Sequence, residues 1–238
     1  MTTGLQGERL SVIMAVWNGE RYIREALDSL LAQSRPAEEI VVVDDGSTDR
    51  TPEILAAYGP ALRVVRQENA GSYAAINRGI AACTGTLLTF LDHDDLCTPS
   101  SLACRREYLE AHPELDGVFG LVEQFVSPEL GPEVARRYRL VLGPRPVELL
   151  QALMVRRQAF DRVGPLDASR RTKSNIDWIS RSRHEGLRLA TLPELVARRR
   201  VHTSNISLRA THAGNTDLLA VVRAHHRRRQ ARASLDQG

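Results

Sequence analysis

Leu87-Leu88-Thr89-Phe90-Leu91-Asp92-His93-Asp94-Asp95 is a short apolar run, rich in strand formers, that ends in three carboxylates within four residues. A continuous apolar run of this kind reads as a strand buried on both faces, so its end is the first place the chain can hold charge. In open α/β sheets the carboxyl edge of the strands is where ligands bind. Along an extended backbone the side chains of Asp92 and Asp94 point one way and that of His93 the other. Two hard oxygen ligands aimed at one point suit Mg²⁺ or Mn²⁺, which take a few carboxylates together with substrate phosphates and water. Read blandly, the same residues are an acidic turn capping a helix after Pro99, since short acidic motifs recur by chance.

Upstream of this stretch, strand and helix alternate. Leu10 to Val16 is a first buried strand, broken by Trp17-Asn18-Gly19. Tyr22, Ile23, Ala26, Leu27, Leu30 and Leu31 follow a helical period that ends before Pro36. Ile40 to Val43 is a second buried strand, again stopped by carboxylates in Asp44-Asp45-Gly46-Ser47. Thr51-Pro52-Glu53 starts a helix with proline at its tolerated first position. Arg63 to Gln67 is a third strand, and Asn69-Ala70-Gly71 leads into a helix from Ser72 to Cys83. Short turns between continuous apolar strands and helices predict a parallel, doubly wound sheet. Two of its strands end in paired aspartates at the same edge, and this agreement between levels favours a metal or nucleotide site over a random acidic turn.

Downstream, a helix is expected from Pro99 to His112 and a strand from Gly117 to Val126. Residues 127–147 carry four prolines without periodicity and read as a long loop, of the kind that often forms a lid or binding loop. Leu149 to Val155 is apolar again. Arg157 to Val163 forms a short helix stopped by Gly164-Pro165, and Ser174 caps a helix running to Glu185. Two short strands follow, at Arg188 to Leu192 and Leu195 to Arg200, and a last helix at Thr216 to Ala233 has a basic second half.

The 238 residues suffice for one large domain. Almost every base is arginine, with Lys173 the single lysine, and a net charge of +3 gives no reason to infer nucleic-acid binding. Cys83, Cys97 and Cys104 form no C-x-x-C pair and leave one over, which argues for reduced thiols rather than a disulfide framework. No apolar run reaches the roughly 18 residues of a membrane span, and Met1 to Arg9 lack a signal-peptide pattern, so a cytoplasmic protein is expected.

In order along the chain stand Ser11-Val12-Ile13-Met14-Ala15-Val16-Trp17-Asn18-Gly19-Glu20, Val42-Val43-Asp44-Asp45-Gly46-Ser47-Thr48-Asp49, Asn69-Ala70-Gly71 with Asn77-Arg78-Gly79, and Phe90-Leu91-Asp92-His93-Asp94-Asp95. Arg156 to Gly164 and Arg200-Val201-His202-Thr203-Ser204-Asn205-Ile206-Ser207 follow. This ordered set resembles the family 2 glycosyltransferases of the GT-A fold. The resemblance implies an α/β, Rossmann-like, mostly parallel sheet flanked by helices over residues 10–208, with a nucleotide-binding half at 10–98 and an acceptor-side half at 99–208. A polar tail at 1–9 precedes it, and a basic C-terminal helical appendage at 209–238 follows.

The resemblance also implies an inverting transfer of a single sugar from a nucleotide-diphosphate donor, UDP-like, to a small-molecule, peptide or glycan acceptor. By it, Ala15, Trp17 and Glu20 line the nucleotide pocket, with Trp17 packing on the base. Asp45 accepts hydrogen bonds from base or ribose, and Asn69 lies in the same pocket. Asp92 and Asp94 match the family's D-x-D motif, Asp94 being the direct ligand of Mn²⁺ or Mg²⁺ and His202 a second ligand near the diphosphate. Asp177 falls where an acidic residue acts as general base, although Ile176 replaces the acid expected before it; its other role is to stabilise the first turn of its helix through the dipole. Ile76 replaces an arginine expected before Asn77, leaving Arg78 or Arg198-Arg199-Arg200 to meet the diphosphate.

Two other classes are open. A sugar-1-phosphate nucleotidyltransferase would call for a Gly-rich loop after the first strand and a nearby lysine, where this chain has Trp17-Asn18-Gly19-Glu20 and a distant Lys173. A non-catalytic binding protein could keep the fold, and the Ile176 departure speaks for it. The Arg-rich end is read as a solvated face or a peripheral contact with an acidic membrane or partner.

Overall fold

The structure, a computed structural model, describes residues 7–130, 143–170 and 173–202. The expected C-terminal helix, the middle of the 127–147 loop and most of the N-terminal tail lie outside these residues.

The first half follows the predicted alternation: β1 (Leu10–Val16), α1 (Ile23–Leu31), β2 (Glu39–Asp44), α2 (Thr51–Ala56), β3 (Arg63–Arg66), α3 (Ser72–Ala82) and β4 (Leu87–Phe90). These strands lie side by side in the order β3-β2-β1-β4, all parallel. β4 is buried at every position, as its unbroken apolar run required. β3 is the sheet edge and carries exposed Arg63 and Arg66, charges that discourage another chain from pairing there. In α1 the buried residues Ile23, Ala26, Leu27 and Leu30 form one stripe at helical spacing. α3 sits close on β1 because residue 79 is glycine: a Cβ there would lie 2.5 Å from the Ile13 side chain.

The second half is β5 (Leu96–Cys97), α4 (Ser101–Ala111), β6 (Gly117–Val126), β7 (Arg145–Pro146), β8 (Leu153–Arg156), α5 (Arg157–Val163), α6 (Ser174–His184) and β9 (Leu189–Val201). The sheet continues without interruption as β4-β8-β6-β9-β5, with β7 also on β6. β8 enters antiparallel between β4 and β6, while β6 and β9 are parallel. Beyond β4 the sheet is therefore mixed.

Two expectations are corrected here. The two short strands predicted at 188–192 and 195–200 are one strand of 13 residues. Its pairing shifts between Phe119↔Thr191 and Leu121↔Leu195, so Pro193 falls in a bulge, where its missing N–H costs no ladder bond. The 127–147 segment is not loop throughout, since Arg145 and Pro146 pair with Val122 and Leu121.

Packing between the halves centres on aromatic rings. Trp178 of α6 is fully buried and stacks on Phe160 at 4.3 Å, and Phe160 meets Phe90 of β4 at 5.8 Å. The Trp178 indole N–H donates to the Gly164 carbonyl at 3.0 Å, so its one polar atom is satisfied. Arg105 is also fully buried. It donates to Thr89 Oγ1 at 2.8 Å, Ser101 O at 3.0 Å and Ser101 Oγ at 2.8 Å, tying the first turn of α4 to β4. Cys83, Cys97 and Cys104 are free thiols. Among the described residues no helix is long and apolar enough to cross a membrane.

Candidate functional site

Parallel pairing brings the ends of β1, β2 and β4 to one edge. Val16 is level with Asp44 and Ile13 with Phe90, so the turn at 92–95, closed by the Asp95 N–H on the Asp92 carbonyl at 3.1 Å, follows β4 at the edge where β1 and β2 end. The turns touch: a Cβ on Gly19 would lie 2.7 Å from the His93 ring, so only glycine lets the two strand ends close up. Asn18, at φ 50°, donates its N–H to Ser47 Oγ and accepts from Thr48 N–H, while Gly19 N–H bonds Thr51 Oγ1 at 2.9 Å. The turn after β1 is thereby locked to the turn after β2, and Trp17 is held outside the core with 53% of its surface exposed. Ala15, two residues before it in β1, is half-buried.

Asp45 is buried. Its Oδ1 accepts from Gln67 Nε2 at 2.8 Å and Ala70 N–H at 2.9 Å, and its Oδ2 from Gly71 N–H at 2.9 Å. Its carboxylate shapes the 67–71 loop into α3, with Asn69 exposed on that loop. Gly46, at φ 75°, makes the crossing feasible because a Cβ would meet Asn69 N at 3.0 Å. Glu20 is exposed and its Oε2 accepts from Arg50 N–H and Nε at 3.1 and 3.3 Å.

At the end of β4, Asp92, Asp94 and Asp95 each bring an oxygen within 4.8 Å of the others. His202, at the end of β9, places Nε2 2.8 Å from Asp94 Oδ2. Asp95 is buried, its Oδ1 accepting from Arg200 N–H at 2.8 Å and its Oδ2 from Gln151 Nε2 at 3.2 Å. Asp92 is exposed as a residue, but the protein crowded around its carboxyl and the charge of Asp94 push it up to about 6. Burial and then the charges of Asp94 and Asp92 hold Asp95 well above the usual carboxylate range. Asp94 goes the other way: burial raises it, but the His202 bond and the charges of His93 and His202 outweigh that and keep it low. Crowded carboxylates that resist joint ionisation, with an imidazole beside them, are a donor set that a hard divalent cation would satisfy. Asp92, Asp94 and His202 are the residues that would hold it, while both Asp95 oxygens are bonded to Arg200 and Gln151.

Of the three arginines before His202, Arg198 pairs with Glu123 at 2.6 Å and stacks on Phe125, and Arg200 is buried. Arg199, on the opposite strand face, has its charge near enough to lower Asp92.

Asp177 lies in the first turn of α6 and is 4% exposed. Its Oδ2 pairs with Arg181 Nε at 2.9 Å, one helical turn on, and Arg181 also donates to the carbonyls of Val163 and Pro165. These contacts clasp α6 to the turn after α5. Beside it a cavity of about 320 Å³ is lined by Val147, Glu148, Leu149, Ile176 and Ile179. Sequence reasoning gave no site role to Gln151 or Tyr22, and it offered Arg200 only as one of three arginines for the diphosphate, not as the buried partner of Asp94 and Asp95.

The sequence profile of glycosyl transferase family 2 matches residues 11–174. An uncharacterised glycosyltransferase of Rickettsia typhi is 43% identical over 93 residues, 39% of this chain and 29% of that protein. Glycosyltransferase GlyA of Streptococcus pneumoniae is 42% identical over 94 residues, 38% of this chain and 14% of that protein. These matches span less than a third of the length of the curated relatives. Among solved structures, S. aureus TarS 1–349 in complex with UDP-GlcNAc superposes with a TM-score of 0.74 at 19% identity, over 92% of this chain and 66% of that one. The same protein in complex with UDP gives 0.66 at 22% identity, over 81% and 60%.

Proposed function

The chain belongs to glycosyl transferase family 2, and from that premise we propose an inverting, metal-dependent transfer of a single sugar from a UDP-sugar to an acceptor nucleophile. The observation that carries the reading is the junction of an exposed Trp17 with the Asp92–Asp94–His202 cluster at one sheet edge. A nucleoside diphosphate needs an aromatic face for its base and a cation for its phosphates within one molecule's length. The structural likeness to a protein solved with UDP and with UDP-GlcNAc supports that donor class.

In this reading Ala15 lines the pocket and Trp17 packs on the base, giving large contact area at small entropic cost. Asp45 acts through the 67–71 loop it shapes, which brings Asn69 to the pocket, and the Glu20–Arg50 pair closes the rim. Asp92, Asp94 and His202 would hold Mn²⁺ or Mg²⁺, which when bound neutralises the charge that builds on the leaving diphosphate. Arg199, facing the cluster, is the arginine of its triplet that meets the diphosphate. The acceptor approaches from the α6 side, past the cavity at Ile176 and Ile179, and attacks the anomeric carbon on the face opposite the diphosphate; the bond to the diphosphate breaks as the new one forms, and the acceptor's proton passes to Asp177, the carboxylate on that side.

A donor-hydrolysis screen across nucleotide sugars tests this. UDP-sugar consumption that needs Mn²⁺ and stops with EDTA is expected. The ion pair of Asp177 favours a second reading, a non-catalytic protein that binds the nucleotide. UDP binding without turnover of any donor or transfer to any acceptor would select that one.

A further inference from the structure

We propose that Arg200 is a positioning residue that holds the 92–95 turn in its cation-binding shape; the inference rests on the metal reading above. Arg200 is 2% exposed, and its guanidinium lies between two rings, 4.8 Å from Tyr22 and 4.7 Å from Phe125. Within that sandwich its edge is directed at fixed partners. Nε donates to the main-chain oxygen of Asp94 at 3.0 Å, and Nη2 pairs with Glu25 of α1 at 2.7 Å. Its own N–H holds Asp95 Oδ1 at 2.8 Å. The far side of the arrangement reaches the fourth group of the site, because the Tyr22 ring also packs on His202 at 4.6 Å.

One residue thus grips the turn twice and, through Tyr22, braces the imidazole that meets Asp94. The grip matters because three carboxylates within 4.8 Å repel one another. Unheld, the turn would open until they separated, and the donor atoms would no longer converge. Only a planar guanidinium can offer both faces to rings and its edge to two acceptors; an ammonium at the same place keeps the charge and loses the geometry. The buried position also keeps Arg200 from reaching a diphosphate, which separates its work from that of Arg199.

The test is Mn²⁺ uptake, read by electron paramagnetic resonance of free Mn²⁺ on the full chain with UDP present and no turnover. Arg200→Lys should fold and bind Mn²⁺ about 10- to 100-fold more weakly, the usual worth of a residue that orients metal ligands. Arg200→Gln gives a sign test. If Arg200 acted by charge alone, removing a positive charge beside three carboxylates would tighten Mn²⁺ binding; positioning requires that it weaken. Should Arg200→Lys fail to fold, Phe125→Leu decides, since it removes one face of the sandwich and leaves every Arg200 hydrogen bond in place. Weaker Mn²⁺ binding by the folded variant supports the inference. Wild-type affinity in a folded Arg200→Lys, or in Phe125→Leu where that variant stands in, overturns it. A wild-type chain that takes up no Mn²⁺ overturns the metal reading itself, which is a different result.

Discussion

Replacing Asp177 by asparagine separates the two roles open to it. The carboxylate is 5% exposed and Arg181 20%, and their bond is 2.9 Å long. Losing a charge-assisted bond in such a setting costs about 1.5–3 kcal/mol, and the asparagine oxygen would recover a neutral bond worth about 1 kcal/mol. The net loss is then about 0.5–2 kcal/mol, which in a chain of this size lowers the melting temperature by about 1–8 °C. Arg181 keeps its bonds to the Val163 and Pro165 carbonyls, so the damage should stay local to α6. Melting and sugar transfer are measured on one sample, the transfer well below the melting range. The clasp alone predicts a lower melting temperature and a transfer rate within a few-fold of wild type. An unchanged melting temperature with transfer down by about 10²–10⁴, the usual worth of a positioned base, would refute the clasp and give Asp177 the catalytic role.

Three further outcomes follow from the site. Asp94→Asn removes the charge that both His202 and a cation would use, so UDP-sugar turnover should collapse; turnover like wild type in the presence of EDTA would end the metal reading. Trp17→Ala should weaken UDP binding by about 1–3 kcal/mol in calorimetry if the ring stacks on the base, and unchanged affinity in a folded variant would put Trp17 outside the pocket. The third concerns pH. With Asp92 pushed up to about 6, the folded protein keeps a proton that the unfolded chain releases near its ordinary pKa of about 4. Without a divalent ion, wild-type stability relative to Asp92→Asn should therefore fall as pH rises from about 4 to above about 6. Mn²⁺ uptake should rise across the same window, because the ion displaces that proton. A wild-type minus Asp92→Asn difference that is flat or rises with pH would contradict the crowding argument.

How far the sequence could be read depends on which interactions are local. β1, β2 and β4 were legible because parallel strands buried on both faces must be continuously apolar, and their polar ends had nowhere else to go. Alternation along an extended backbone put Asp92 and Asp94 on one side, but residues 92–95 form a turn, closed by the Asp95 N–H on the Asp92 carbonyl at 3.1 Å, and it is the turn that gathers their carboxylates. What could not be read is what depends on partners distant in the chain. The two-residue strands β5 and β7 carry no periodicity and exist only because β9 and β6 pair with them. Pro193 reads as a strand end but is a bulge, since β6 supplies pairing on either side of it. In Arg198-Arg199-Arg200 nothing in the sequence says which arginine is buried; that follows from Phe125 and Tyr22 arriving from other elements. The inward turn of Asp177 likewise depends on Arg181 and on the carbonyls of the turn after α5.

The insertion of β8 between β4 and β6 has a consequence for how this protein can be divided. Residues 10–98 look like a self-sufficient nucleotide module, and cutting the chain there would be the obvious way to isolate one. Such a fragment would expose the whole length of β4, an apolar strand whose neighbour comes from residues 153–156. An unpaired edge of that kind recruits other chains, so the excised module should aggregate rather than bind. Supplying the remainder of the chain as a separate polypeptide would restore the missing neighbour, which makes this seam a natural place for a split protein whose two pieces regain nucleotide binding only on meeting.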